Sequence, residues 1–179
     1  LHLSLNYLQK PYIGVVLIPE KNELWMSNGK KVWCESKDRL MKDPQFIRKK
    51  NLGEMVCVTS KNHRNKTLKS LIEKLNFQEV KIMGSIGCKI ASIIRGDSDI
   101  YICLSLPGKS SPKDWDFAAP EAILKGSGGA ITNIDNEELT YGKNNYEQGG
   151  IIVATNNILS HGRICSEIKN IIKQYKLYD

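Results

Sequence analysis

The chain opens on alternation. Apolar Leu1, Leu3 and Leu5 are separated by His2, Ser4 and Asn6, which predicts a half-buried strand over residues 1–8. A second strand is expected over 12–19, joined to the first by Gln9-Lys10-Pro11. Residues 23–27 and 31–34 read as a hairpin across Asn28-Gly29, a favoured tight-turn pair. The stretch 37–51 is polar and basic and reads as a loop. A buried-type strand follows over 54–59. Leu68, Leu71, Ile72 and Leu75 then recur at helical spacing, predicting a helix over 65–75. A short strand (81–83), a short helix (88–94) closed by Gly96, and a strand (99–104) come next. From Phe117, the positions Ala118, Ala119, Ala122, Ile123 and Leu124 give a helix that Gly126 and Gly128-Gly129 stop. Strands over 130–134 and 150–154 and a long amphipathic helix over 159–175 complete the pattern. Strands and helices alternating in this way predict an α/β fold, a layered α/β sandwich with a mixed sheet. The early hairpins argue against an all-parallel sheet.

Composition narrows the class. At 179 residues and 41% apolar, the chain is one domain or part of a larger one. No apolar run is long enough to span a bilayer. The alternating start does not read as a signal-peptide block. It is strand-like from a first residue that is not Met, which suggests a preceding portion. The five cysteines are widely spaced with no C-x-x-C, as expected of reduced, buried thiols in a cytoplasmic protein. The net charge of +7 suits an anionic partner or a solvated basic surface. Neither zinc-finger spacing nor an interleaved basic and aromatic run marks a nucleic-acid domain. A phosphate-bearing small molecule fits the charge equally well.

Three constellations carry candidate chemistry. Asp114-Trp115-Asp116 stands at the mouth of the Ala-rich helix. A carboxylate there caps free amides and meets the positive end of the helix dipole. It equally suits a hard-oxygen ligand for Mg²⁺, although one carboxylate is not a magnesium site. Gly84-Ser85-Ile86-Gly87-Cys88-Lys89 crosses a strand-to-helix junction, where backbone amides and Lys89 can approach an anion. It lacks the glycine spacing and the Ser or Thr of a P-loop. Ser60-Lys61-Asn62-His63 ends a strand before a helix. Ser60 there is a capping or binding hydroxyl, and His63 is a surface residue or a partner for a base or phosphate.

Taken in order, these segments resemble one family. Trp115-Asp116, Ala119-Pro120-Glu121, Ile123-Leu124, Gly128-Gly129 and the run from Gly149 to Thr155 are similar to the signature of the lithium-sensitive, magnesium-dependent phosphatases. These are the inositol monophosphatases and the 3'(2'),5'-bisphosphate nucleotidases. The Ala-Pro-Glu variant resembles the nucleotidase branch. The segments from Gly84 to Lys89, from Arg95 to Tyr101 and from Val58 to His63 fit the same family. The resemblance implies that Asp116 is a metal-ligand aspartate. It also implies that Ser60, His63, Gly87, Lys89 and, less directly, Ser92 contact substrate. The implied cofactor is Mg²⁺, and the implied substrate is 3'-phosphoadenosine 5'-phosphate, cleaved to AMP and phosphate by a metal-activated water.

The departures shape what is expected. Cys103 stands where the inositol branch carries a sugar-contacting Glu, which disfavours inositol phosphate. An Arg that some nucleotidases carry there is absent too. The family's N-terminal Gly-Asp, Glu-Glu helix and Asp-Pro-x-Asp-Gly-Thr loop do not occur. The expectation is therefore a C-terminal portion of such an enzyme. Residues 1–60 would complete an N-terminal sheet domain, and 61–179 would form the substrate-recognition domain. Catalytic residues are expected outside the chain, and the chain alone is expected to be inactive. Its first strands are expected to expose apolar surface that favours self-association or docking of a further portion. The alternatives are an inositol or sugar phosphate phosphatase, a non-catalytic nucleotide-binding module, and a basic nucleic-acid-binding domain.

Overall fold

The computed structural model describes residues 1–36, 50–61, 65–106 and 111–177. Most of the loop expected over 37–51 lies outside these residues, as does His63. Two sheets organise the chain. The first is antiparallel, with strands β1 (His2–Tyr7), β2 (Lys10–Ile18), β3 (Glu23–Ser27) and β4 (Val32–Ser36) in sequence order. The second contains β5 (Val56–Ser60), β6 (Glu79–Met83), β7 (Ile100–Ser105), β8 (Ala130–Asn133) and β9 (Gly150–Thr155), in the order β6-β5-β7-β9-β8. The pairings of β5 with β6 and β7 are parallel, and β9 runs antiparallel to β7 and β8. The mixed α/β sandwich is thus present. The strand β5 belongs to the second sheet, so a division after residue 60 would cut it from its partners. The change of sheet falls between Ser36 and Leu52.

Among the described residues, four α-helices fill the layers: α1 (Lys66–Leu75), α2 (Ile86–Ile94), α3 (Asp114–Gly126) and α4 (Ile158–Tyr175). The pair α2 and α3 lies between the sheets. There Val16, Ile18 and Trp25 of the first sheet meet Ile90, Phe117, Ile123 and the inward residues Tyr101, Cys103, Ile152 and Ala154 of the second. The alternate residues Ile100, Ile102, Leu104, Ile151 and Val153 face the other way. They pack on Leu68, Leu71 and Leu75 of α1 and Ile164, Ile168 and Ile172 of α4. Period-two alternation therefore gives the second sheet two apolar faces, each covered by a helix pair.

Small residues set the spacing of the middle layer. A Cβ on Gly14 would lie 2.6 Å from the Ala119 carbonyl oxygen and 2.7 Å from the Ala122 Cβ. The Ala-rich face of α3 can approach β2 that closely only because neither side carries bulk. Pro120 sits inside α3. Lacking an N–H, it leaves the Asp116 carbonyl without its usual i+4 donor. A buried ion pair crosses from α2 to β3, with Arg95 Nη1 donating to Glu23 Oε2 at 2.6 Å. The Trp25 indole donates to the same oxygen at 3.0 Å.

Turn geometry departs from two expectations. Leu8 and Gln9 both adopt positive φ (48° and 60°), so β1 and β2 join through a two-residue turn, and Lys10 and Pro11 already belong to β2. The ladder slips between Leu5 and Asn6, leaving Tyr12 unpaired. Pro11 is tolerated beside that bulge. The β3–β4 connection is a four-residue loop over 28–31, not a tight Asn-Gly turn. The Asn28 side-chain oxygen accepts the amides of Lys30 and Lys31, and Gly29 takes φ 83°.

Candidate functional site

The parallel strands β5 and β6 end together, and α2 begins at that end. Ligands of open α/β sheets bind there. Ser60 closes β5 and is buried. Gly84 and Ser85 lead from β6 into α2, with Ser85 held at φ 33° and making no side-chain cap. The first-turn amides of α2 therefore gain no partner from that hydroxyl.

Lys89 lies one turn into α2 and is only 2% exposed. Its ammonium stands 5.2 Å above the centroid of the Tyr101 ring. Among the described residues, no acceptor makes a hydrogen bond or ion pair with it. Burial lowers its pKa to about 8, against the opposing pull of Cys103, Cys88 and Asp116. The Tyr101 hydroxyl is fully buried and interacts with the side chains of Cys103 and Ser60, and burial raises its pKa well above the ordinary value. The Cys103 thiol is likewise raised by burial and stays neutral. Ser60, Lys89, Tyr101 and Cys103 thus form one buried cluster whose positive charge has no ion-pair partner among the described residues, chemistry suited to an anionic oxygen.

Gly87 is buried for a packing reason. A Cβ there would lie 2.3 Å from His2 Nε2 and 2.8 Å from a Val16 methyl. His2 reaches in from the edge strand, and its Nδ1 lies 3.4 Å from the Trp115 carbonyl oxygen. Burial lowers its pKa, with the Trp115 carbonyl opposing the shift. His2 thereby joins the starts of α2 and α3. Ser92 is fully buried, with its hydroxyl donating to the Lys89 carbonyl at 2.7 Å and lying 2.5 Å from Ser98 Oγ. It is held inside the fold and not presented with Ser60 and Lys89.

The two aspartates of α3 divide their work. Asp114 is buried, accepting the Gly142 amide at 2.6 Å and the Gln148 side-chain amide at 2.7 Å. It pins the loop after β8 to the helix start. Asp116, at the third helical position, accepts the Lys113 amide at 2.8 Å through Oδ2. That is half of a capping box, because Lys113 has no side-chain acceptor to complete it. Oδ1 takes no bond among the described residues. Trp115 between them is exposed and packs against Tyr146, ring centroids 6.0 Å apart. The described residues contain no group of three or more His, Cys, Asp or Glu able to hold a metal ion. Asp116 alone does not satisfy the near-octahedral oxygen shell of Mg²⁺.

Sequence reasoning passed over His2 and Tyr101. The Leu1, Leu3, Leu5 alternation points the leucines inward and His2 outward, the reverse of what the structure shows, whereas alternation does put Tyr101 on the same face of β7 as Cys103.

A family model described as the inositol monophosphatase family matches residues 1–173. The chain belongs to that family. It is 31% identical over 123 residues to 3'(2'),5'-bisphosphate nucleotidase 1 of Homo sapiens, covering 67% of this chain and 39% of that protein. It is 29% identical over 145 residues to the 3'(2'),5'-bisphosphate nucleotidase CysQ of Buchnera aphidicola, covering 78% of this chain and 49% of that one. The Thermotoga maritima IMPase superposes with a TM-score of 0.70 at 19% identity, over 97% of this chain and 61% of that chain. The last shows the shared fold. The chain spans less than half the length of the two curated relatives.

Proposed function

We propose that this chain is the substrate-recognition portion of a magnesium-dependent phosphatase acting on 3'-phosphoadenosine 5'-phosphate, releasing AMP and phosphate. The observation that carries this reading is the buried ammonium of Lys89 on the first turns of α2, held over the Tyr101 ring with no hydrogen bond or ion pair among the described residues. Lys89 supplies positive charge, Ser60 a hydroxyl donor, and the α2 start a favourable dipole for a phosphate oxygen. Low local polarity makes each contact stronger than it would be in water. His63 is assigned to the nucleotide by the family pattern alone. Gly87 keeps the α2 backbone against β1, and Ser92 supports the turn that carries Lys89.

The neutral Cys103 thiol favours a nucleotide over inositol phosphate. A polyol is held best by a charged carboxylate acceptor, and at the Cys103 position none stands. Asp116 is proposed as one ligand of a magnesium ion whose remaining ligands are not among the described residues. The chain alone is accordingly expected to release no phosphate. The proposed setting is cytoplasmic. Among the described residues no helix is long and apolar enough to cross a membrane.

The test is competitive calorimetry of the chain with AMP and with inositol 1-phosphate, each with and without Mg²⁺. Metal-independent AMP binding that inositol 1-phosphate does not displace is expected. Preferential binding of inositol 1-phosphate would move the assignment to the inositol branch. Robust magnesium-dependent phosphate release by the purified chain would overturn its inactivity.

A further inference from the structure

Resting on the nucleotide reading above, we infer that Tyr101 is the positioning residue of this site: its ring holds the Lys89 ammonium while its hydroxyl orients Ser60, so both substrate contacts are presented as one unit. The elements involved are separate in sequence. Ser60 ends β5, Lys89 lies on α2, and Tyr101 lies on β7, where it pairs with Val58, two residues before Ser60. Tyr101 is 1% exposed, so it reaches a bound molecule only through its neighbours.

The physical case starts from Lys89. Asp116 attracts the Lys89 ammonium but makes no hydrogen bond or ion pair with it, and a buried ammonium without a contacting carboxylate is costly and should swing toward water or lose its proton. The negative face of the Tyr101 ring, 5.2 Å away, is the attractive partner the described residues offer at contact range. It gives no hydrogen bond and leaves the three ammonium donors free for a ligand oxygen. A carboxylate in the same place would hold Lys89 equally well but would occupy those donors and repel a phosphate. The register puts Ser60 on the same face as Tyr101, one strand over and two residues past its partner Val58, within the influence of the Tyr101 hydroxyl together with Cys103. One rigid side chain with few rotatable bonds thus sets two contacts from two secondary-structure elements.

The test separates ring from hydroxyl. Tyr101→Phe keeps the ring, Tyr101→Leu removes it, and Ser60→Ala removes the partner hydroxyl. AMP is titrated in EDTA into each variant and into Ser60→Ala/Tyr101→Phe, with thermal melts confirming that each is folded. Tyr101→Phe and Ser60→Ala are each expected to weaken AMP binding several-fold. The double variant should be no weaker than the worse single one, because both changes break one interaction. Tyr101→Leu should weaken binding at least tenfold. A second readout needs no ligand. In ¹³Cε-lysine spectra, the Lys89 ε-protons should be shifted upfield by the ring in the parent and in Tyr101→Phe, and should return to the ordinary lysine position in Tyr101→Leu.

Unchanged AMP affinity in Tyr101→Phe, multiplicative losses in the double variant, or unshifted Lys89 ε-protons in the parent would each overturn the inference. Failure of the parent to bind AMP would instead refute the nucleotide reading. The ε-proton shift would then decide alone whether Tyr101 holds Lys89: shifted in the parent and lost in Tyr101→Leu, it stands; otherwise it falls.

Discussion

The two sheets are built from similar residues and end in opposite situations. In the second sheet, Ile100, Ile102 and Leu104 pack under α1 and α4, and Tyr101 and Cys103 pack under α2 and α3. In the first sheet, only the inward residues are covered. The outward residues line up across all four strands. Leu3 pairs Val15, Val15 pairs Met26, and Met26 pairs Trp33, with Leu5 opposite Ile13 in the next row. Leu3 and Leu5 remain 65% and 57% exposed. Scattered exposed leucines are ordinary, but a contiguous apolar sheet face marks an interaction surface. The comparison teaches that strand alternation specifies which residues share a face without saying whether that face is covered. It also places the candidate site on the sheet whose central strands are covered on both faces, where Lys89 can be kept from water.

The sharpest way to break the comparison is to truncate one leucine-sized side chain on each sheet. Ile102→Ala should cost roughly 2–5 kcal/mol in denaturant unfolding, since Ile102 is fully buried and leaves a cavity. Leu5→Ala should change stability by no more than about 0.5 kcal/mol. Equal costs would mean that the outer face of the first sheet is covered in solution.

Acid should loosen the sealed sheet. His161 on α4 is 1% exposed, its ring nitrogens each 2.8 Å from a hydroxyl, of Thr132 on β8 and of Thr155 on β9. Burial lowers its pKa from 6.5 to about 4. The unfolded chain therefore binds a proton that the folded chain refuses between those values. Stability is full above pH 6.5 and is lost as the pH falls toward 4, by on the order of 2–3 kcal/mol. His161→Gln should flatten that dependence in denaturation curves measured across the window. An unchanged slope would assign the acid sensitivity to other groups.

A smaller effect is expected where the layers meet. Gly14→Ala forces a methyl against the backbone of α3 and should cost about 1–3 kcal/mol, read as a lowered melting temperature. The smallest effect on stability, and the most visible in assembly, belongs to the open face. The chain alone should self-associate through it, and Leu5→Lys should return it to a monomer in sedimentation velocity. A parent that stays monomeric at high concentration would remove the open face as a self-association surface.

Much of the fold was legible in the residues. Helical spacing in 65–75 and 159–175 and alternation in the strands gave elements whose ends shift by a few residues. The turns were less legible, because Leu8 and Gln9 carry no glycine to announce their positive φ. The boundary between the sheets was misjudged because β5 reads as any buried strand, and only its pairing with β6 and β7 assigns it. At the candidate site, Ser60 and Lys89 stand out in the residues by their positions at a strand end and a helix start. Tyr101 does not, because an aromatic in a buried strand looks like core until a lysine is seen above its ring. Asp116 was read as both cap and metal ligand. Its bond to the Lys113 amide shows the first role, and the second is a proposal.

The most direct measurement is a map of amide chemical shifts as AMP is added to the isotopically labelled chain in the absence of magnesium. The account predicts that shifts cluster at Ser60, at the start of α2 through Lys89 and on β7 around Tyr101, and that the outward residues of β1 to β4 stay still. Shifts confined to the open face of the first sheet, or no shifts at AMP concentrations well above a millimolar, would contradict it.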